Sequence, residues 1–408
     1  MLLLIRLAWR NMFRNTRRTA LASLAIGVGL AGLIFTDALM IGMVESMIRT
    51  ATDTFLGHGQ IHAEGFRNTL EVEKTVLDLP DVLRRLSDDP GVEGHAPRIQ
   101  AFGMVSSASD AGAVLLYGID PEAEKSLSKV DEALVEGTYL EDGGARRILI
   151  GSKLAETLEV SIGDRVVVTV AEAETGELAQ EMFRIGGIFH FNVREMDSSV
   201  GFVGLKRAQS LLGMGDQVHE VAVRFSGVAL AEDSGRGFRG RYSRRGNEAL
   251  GWRALMPQLD AAVKIASFSS WIVGGILFAV VALGIINTLF MSLYERMFEF
   301  GVLRAVGTRP VRMALVILFE AGALSVLSIL IGGAVGFGVT YAYSVSGIDY
   351  VGIEFAGVTF RELISPTLRV TQFTVFPAVV FLFTLVAGIY PAVFASRLTP
   401  ARAMRAHD

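Results

Sequence analysis

NTLFMSLYERMFEFGVLRAVG, the stretch Asn287–Gly307, decides the architecture of this chain. It leaves one long apolar run, passes through a short charged turn and heads into another. Glu295, Arg296, Glu299 and Arg304 fall where a membrane helix leaves the bilayer. Their spacing lets them decorate one side of a short helix lying on the membrane surface. A protein that only anchors itself has no use for such a piece between two spans. A protein that takes a push from a cytoplasmic partner does.

The chain has 408 residues, 51% of them hydrophobic and 20% charged, with a mean hydropathy of +0.44. A soluble domain is rarely so apolar, and the figures fit only if the charges are segregated. Four apolar runs stand out, about Ala20–Val44, Ile265–Leu293, Met313–Val345 and Phe373–Ala395. Each exceeds the roughly 20 residues that cross a hydrocarbon core. The expected division is an interfacial helix 1–19, a first span 20–44, an outer domain 45–263 and a second span 264–293. A surface helix 294–311, a third span 312–345, an outer loop 346–371, a fourth span 372–395 and a tail 396–408 follow.

Arginines orient the spans. Arg6, Arg10, Arg14, Arg17 and Arg18 precede the first span, Arg296, Arg304, Arg309 and Arg312 lie between the second and third, and Arg397, Arg402 and Arg405 follow the fourth. The positive-inside rule places all three clusters in the cytoplasm and the large domain outside. The first apolar run is too long for a signal-peptide core and no small-residue cleavage site follows it, so an uncleaved helix is expected. Within Leu2–Arg18, Trp9 shares an apolar face with Leu4, Ile5, Ala8, Met12 and Phe13, opposite Arg6, Arg10, Arg14 and Arg17. That pattern is a topology signal or an elbow fixing the angle of the first span. The chain has no cysteine, so no disulfide staples the outer domain. The net charge of −4 points to no particular partner.

The outer region reads as α+β. Helical spacing covers Val76–Leu86, Ser152–Leu158 and Leu205–Leu212, and strands cover Arg146–Ile150, RVVVTVAEA from Arg165, Met182–Phe189 and Glu220–Phe225. The clustering of strands suggests two subdomains. Ser226–Gly251 is rich in Gly and Arg and poor in aliphatics, which predicts a solvated loop rather than an RNA-binding tract.

No Walker A sequence occurs. Gly27, Gly29 and Gly32 satisfy GxGxxG literally, but inside a membrane span, where small residues serve close helix packing. Gly274 and Gly275 offer the same on the second span. His58 and His62 lack supporting carboxylates, and no metal site is expected. No catalytic constellation is visible. Asp37 and Glu320 are the intramembrane acids; each must face protein or water. With no lysine or histidine partner in the spans, interhelical hydrogen bonds are favoured over a proton path.

On these residues the chain resembles the permease subunits of the MacB/FtsX superfamily of ABC transporters, and is most similar to the lipoprotein-releasing Lol permeases. YERMFEFGVLRAVGTRP is similar to the family's ER-x-x-E-x-G-x-x-R-A-x-G signature, with Glu295, Arg296, Glu299, Gly301, Arg304, Ala305 and Gly307 in place. Glu320 matches an acidic position of the third span. YPAVFASRLTPARAMR resembles the family's C-terminal motif, with Met404 where leucine is usual. ILIGSKLAETLEVSIGDRVVV and FRIGGIF resemble the Lol periplasmic domain. The hairpin at about Ala171–Met182 is short beside the longer hook of LolC-type permeases, which leaves chaperone capture open.

The resemblance implies four transmembrane α-helices and a large periplasmic α+β domain, with porter-like and β-rich subdomains, inserted between helices 1 and 2. It implies that Glu295–Gly307 is a coupling helix docking into a cytoplasmic ABC ATPase present in two copies. A second permease copy or a homologue completes the machine. By the same resemblance Gly27, Gly29, Gly32, Gly274 and Gly275 would frame a lateral substrate entrance. ATP and Mg²⁺ belong to the ATPase, with no cofactor in this chain. The implied setting is the bacterial inner membrane, and the implied substrates are lipoproteins or other amphipathic molecules, with membrane lipids and a periplasmic chaperone as further partners and no nucleic acid. The alternative is an FtsX-like protein that uses ATP to control a periplasmic partner without transport.

Overall fold

The computed structural model describes residues 16–141, 146–231, 237–355, 358–359 and 362–397. The chain divides into two compact units, a helical one and an inserted one, Ser46–Ala262 with Val351–Arg361.

Among the described residues, four helices are long and apolar enough to cross a membrane: Thr16–Ala51, Pro257–Glu295, Pro310–Ser346 and Val370–Arg397. Their apolar runs have no polar periodicity to break, and at 1.5 Å per residue each exceeds the roughly 30 Å of a hydrocarbon core. The first helix continues past the expected end at Val44 and closes on a π-turn, Thr52–Leu56. Pro377 and Pro391 lie inside the fourth, as membrane helices tolerate. The bundle core is Ile26, Leu30, Ile34, Val281, Ile285, Leu289, Ala321 and Val380.

The first and third spans touch through backbone. A Cβ on Gly332 would lie 2.5 Å from the Gly27 carbonyl oxygen, and one on Gly336 would lie 3.2 Å from the Ala31 Cα. Only the absence of side chains permits that approach.

The inserted unit is α+β. The strands of its main sheet are β1 (Gly59–Ala63), β2 (Val92–Ser106), β3 (Ala111–Ile119), β4 (Leu134–Gly137), β5 (Arg147–Gly151), β6 (Arg165–Ala171), β7 (Leu178–Phe189), β8 (Val200–Gly204), β9 (Glu220–Phe225) and β10 (Asn247–Gly251). They join in one sheet in the order β10-β1-β9-β2-β3-β8-β5-β7-β4, with β6 bridging β2 and β7. The β3–β8 and β5–β7 pairs are parallel and the rest antiparallel. Helices Ser152–Leu158 and Leu205–Leu212 occupy the ranges their spacing predicts. The helix expected from Val76 starts at Leu79, because Asp78 adopts a left-handed conformation (φ 53°) before it.

The Gly/Arg tract departs from the solvated-loop expectation. Phe238–Tyr242 is a helical turn and Asn247–Gly251 is β10, paired with β1. Phe238 is fully buried and Tyr242 nearly so, and both belong to the main core. Gly59 lacks the Cβ that would sit 2.6 Å from the Phe238 ring. Two aromatic anchors outweigh the polar composition around them, since each buries a large apolar area.

A buried ionic cluster pins β2 to its neighbours. Arg98 on β2 has no exposed surface. It donates from Nε and Nη2 to Glu124 at 2.9 and 2.6 Å, from Nη1 to Glu220 at 3.0 Å, and from Nη2 to the Phe55 carbonyl at 2.7 Å. Its guanidinium stacks 3.8 Å from the Phe55 ring centroid. Burial pushes the Glu220 carboxyl up, but His62 and Arg98 outweigh it and hold it down at about 2.

Candidate functional site

The second span ends at Glu295, and a separate short helix, Met297–Ala305, follows. Arg296 makes the break with non-helical dihedrals (φ −111°, ψ 10°). Gly307 ends the segment at φ 92°, a region closed to most side chains. The third span then starts at Pro310, which fits a first helical turn.

This segment is tied to the bundle on one side and open on the other. Phe300 is buried with Leu293, Met313, Ile317, Ala392 and Ala395, and Gly301 is buried beside it. Phe298, Val302, Leu303 and Val306 are exposed, Val306 by 81%. Arg304 reaches the Thr308 carbonyl at 3.5 Å.

Arg296 is the joint. Its Nε donates to Glu299 at 3.1 Å, its Nη1 donates to Glu320 of the third span, and its guanidinium lies 5.2 Å from the Phe300 ring. Both ends of the Arg296–Glu320 pair are largely buried, with side chains 12% and 15% exposed. Among the described residues no lysine or histidine of the spans partners Glu320; its cation is Arg296, from the connecting segment. A hydrogen-bonded pair is how a carboxylate at this depth is accommodated.

At the other end of the bundle a cavity of about 600 Å³ opens between the first, second and fourth spans. Leu33, Met40, Val44, Phe278, Val375 and Val379 supply apolar wall, and Asp37, Glu45 and Arg369 supply charge. Gln372, buried on the fourth span, donates to Asp37 Oδ2 at 2.9 Å. Arg369 and Thr367 donate to Glu45 at 2.8 and 2.7 Å. Such a volume lies within the range of small-molecule sites.

The glycines expected together separate. Gly27 meets Gly332 of the third span, and Gly29 faces Val281 of the second, where a Cβ would come within 2.3 Å. Gly32, Gly274 and Gly275 have open space at the Cβ position, and Gly274 and Gly275 line the cavity. Of the interfacial helix, Trp9, Arg10 and Arg14 lie outside the described residues; Arg17 is exposed on the first turn of the first span, and Arg18 follows it in that helix.

The family profile for the MacB-like periplasmic core domain matches residues 19–235, and that for the FtsX-like permease C-terminal region matches residues 271–400. The first match alone takes in more than half of the chain. The chain belongs to the MacB/FtsX family of ABC transporter permeases.

The permease is similar to the lipoprotein-releasing system transmembrane protein LolC of Xylella fastidiosa (strain 9a5c), at 23% identity over 94% of this chain and 92% of the relative. It is similar to the corresponding LolE of Haemophilus influenzae, at 20% identity over 85% of each. It also matches the macrolide export ATP-binding/permease protein MacB of Shewanella oneidensis, at 33% identity over 37% of this chain and 19% of the relative. The permease is therefore a multi-pass membrane protein with a periplasmic domain between its first and second spans.

In that domain His58 and His62 are structural. The His58 Nδ1 accepts from the Phe225 amide at 3.1 Å, and burial lowers its pKa. His62 lies on β1, 3.5 Å from Glu220 and stacked on Phe66. Among the described residues no cluster of His, Asp and Glu could hold a metal ion.

Proposed function

We propose that the permease couples ATP hydrolysis by a cytoplasmic ABC ATPase, bound in two copies, to motion of the periplasmic domain, and so draws lipid-anchored proteins or similar amphipaths out of the inner membrane. A second permease copy or a homologue completes the assembly. ATP and Mg²⁺ stay on the ATPase. The observation carrying the reading is the Arg296 joint: one side chain holds both the short helix, through Glu299, and the third span, through Glu320. A push on the exposed face of Met297–Ala305 is then delivered to the third span rather than lost in a loose linker. Glu295, Gly301, Arg304 and Gly307 shape the same segment.

The cavity supports the substrate class. Exposing an acyl chain costs about 0.8 kcal/mol per CH₂. Any carrier of such chains must keep them in an apolar space open to the bilayer, and the wall around Leu33, Phe278 and Val379 is one.

Glu320→Gln is the test. The variant should still copurify with the ATPase and lose stimulated transport, and exchanging the pair, Arg296→Glu with Glu320→Arg, should restore part of it. Normal transport by Glu320→Gln would remove the joint from the mechanism. Photo-crosslinkers at Gly274 and Gly275 should capture a lipidated protein. Capture of a periplasmic protein alone would favour the FtsX-like alternative.

A further inference from the structure

The charges of the cavity do not balance. Glu45 is matched by Arg369 at 2.8 Å. Asp37 is matched by no cation among the described residues; it accepts only the neutral amide of Gln372, at 2.9 Å. That amide is itself shared with the Thr367 carbonyl at 3.3 Å. A carboxylate can accept about four hydrogen bonds, so Asp37 has acceptor capacity to spare.

Asp37 also lies inside the first span, where an unmatched charge is costly unless something pairs with it. The cavity beside it is aromatic as well as aliphatic. Trp271 lines it with 82% of its surface exposed, and Phe278 and Phe376 line it too. Aromatic faces attract cations and offer nothing to anions. Arg369, the cation lining the cavity among the described residues, is already held by Glu45.

We infer that the cavity binds an amphiphile whose apolar chains lie against the span walls and whose ammonium group pairs with Asp37. This deepens, and rests on, the reading of the cavity as an amphiphile site. An ammonium brings three donors and one positive charge, which complements the spare acceptors and the unmatched charge of Asp37. Two molecules share that chemistry: a lipidated peptide with a free α-amine and a phospholipid with an ethanolamine head.

The experiment uses the full permease with its ATPase in phosphatidylglycerol nanodiscs. The probes are two dipalmitoylated peptides that differ only in a free or an acetylated α-amine. The free amine should bind about tenfold tighter, the scale of one charge-assisted contact in a partly desolvated site. Asp37→Asn, which keeps the shape and a partner for Gln372, should bring that ratio to about one and leave the acetylated peptide's affinity in place. Equal affinity of the two peptides for the unmodified permease would overturn the inference, as would a tenfold ratio surviving in Asp37→Asn. Binding of neither peptide would overturn the underlying reading of the cavity instead. Adding phosphatidylethanolamine assigns the source: competition with the free-amine peptide identifies the lipid head, and its absence identifies the peptide, both upholding the ammonium.

Discussion

Replacing Arg98 by methionine should loosen the centre of the periplasmic domain. Methionine keeps much of the reach and packing volume, so the change removes charge more than shape. It leaves Glu124 and Glu220, which are 0% and 1% exposed, without the guanidinium that reached them at 2.6–3.0 Å. Breaking a buried pair by removing one partner costs about 3–5 kcal/mol, or roughly 10²- to 10⁴-fold in an opening equilibrium. Amide hydrogen exchange of full-length permease in nanodiscs measures this directly, with β2 and β9 as reporters. Their protection should fall by that factor at pH 7. In the unmodified protein, against the upward push of burial, the His62 and Arg98 contacts hold the Glu220 carboxyl down at about 2, below the ordinary 4.5 of a glutamate. Its stabilisation is therefore present above pH 4.5 and lost as pH falls towards 2. Without Arg98 the burial effect is no longer opposed by the guanidinium, the carboxyl moves up, and acidification should relieve the variant while it weakens the parent. Adding Glu124→Gln and Glu220→Gln to the variant should recover most of the protection. Unchanged protection at pH 7, or a loss of the same size at pH 5, would refute the argument.

Phe238→Ala should destabilise the domain by about 3–5 kcal/mol, seen as faster exchange in β1 and β10, whereas a side chain on a solvated loop would change nothing. Gly332→Leu should prevent stable assembly of the first and third spans, read as loss of folded permease on detergent size exclusion. Gly338→Leu, with open space at its Cβ, should leave assembly intact. A cysteine at the exposed Ser226 should react with an impermeant maleimide in spheroplasts and one at Val306 should not; the reverse pattern would invert the topology.

What was legible in the sequence was local. Uninterrupted apolar runs gave the four spans, and short-range periodicity gave Ser152–Leu158, Leu205–Leu212 and Glu220–Phe225 almost to the residue. The signature around Glu295–Gly307 located the short helix for the same reason: its charges and its glycine act within a few residues. Long-range partners were not legible. VEGHAPRIQAFGMVS, with Pro97, Arg98 and Gln100, does not look like a central strand, because the acids that neutralise Arg98 sit at Glu124 and Glu220. The cation that pairs with Glu320 was not legible because it lies outside the spans, at Arg296. The Gly/Arg tract hid its two aromatic anchors among charges, and only their burial in the main core reveals them.

The contact between Gly27 and Gly332 has a consequence for how the protein is made. The two glycines are about 300 residues apart in the chain. At roughly 5–20 residues per second, a ribosome needs about 15–60 s to deliver the second after the first. Throughout that interval the first helix sits in the bilayer with its glycine face unpartnered, while the whole periplasmic domain is exported behind it. Lipid or an insertion factor must cover that face in the meantime and leave it again when the third helix arrives. Biogenesis then includes the exchange of a temporary neighbour for a permanent one, and a nascent chain stalled before Gly332 is the species in which to catch it.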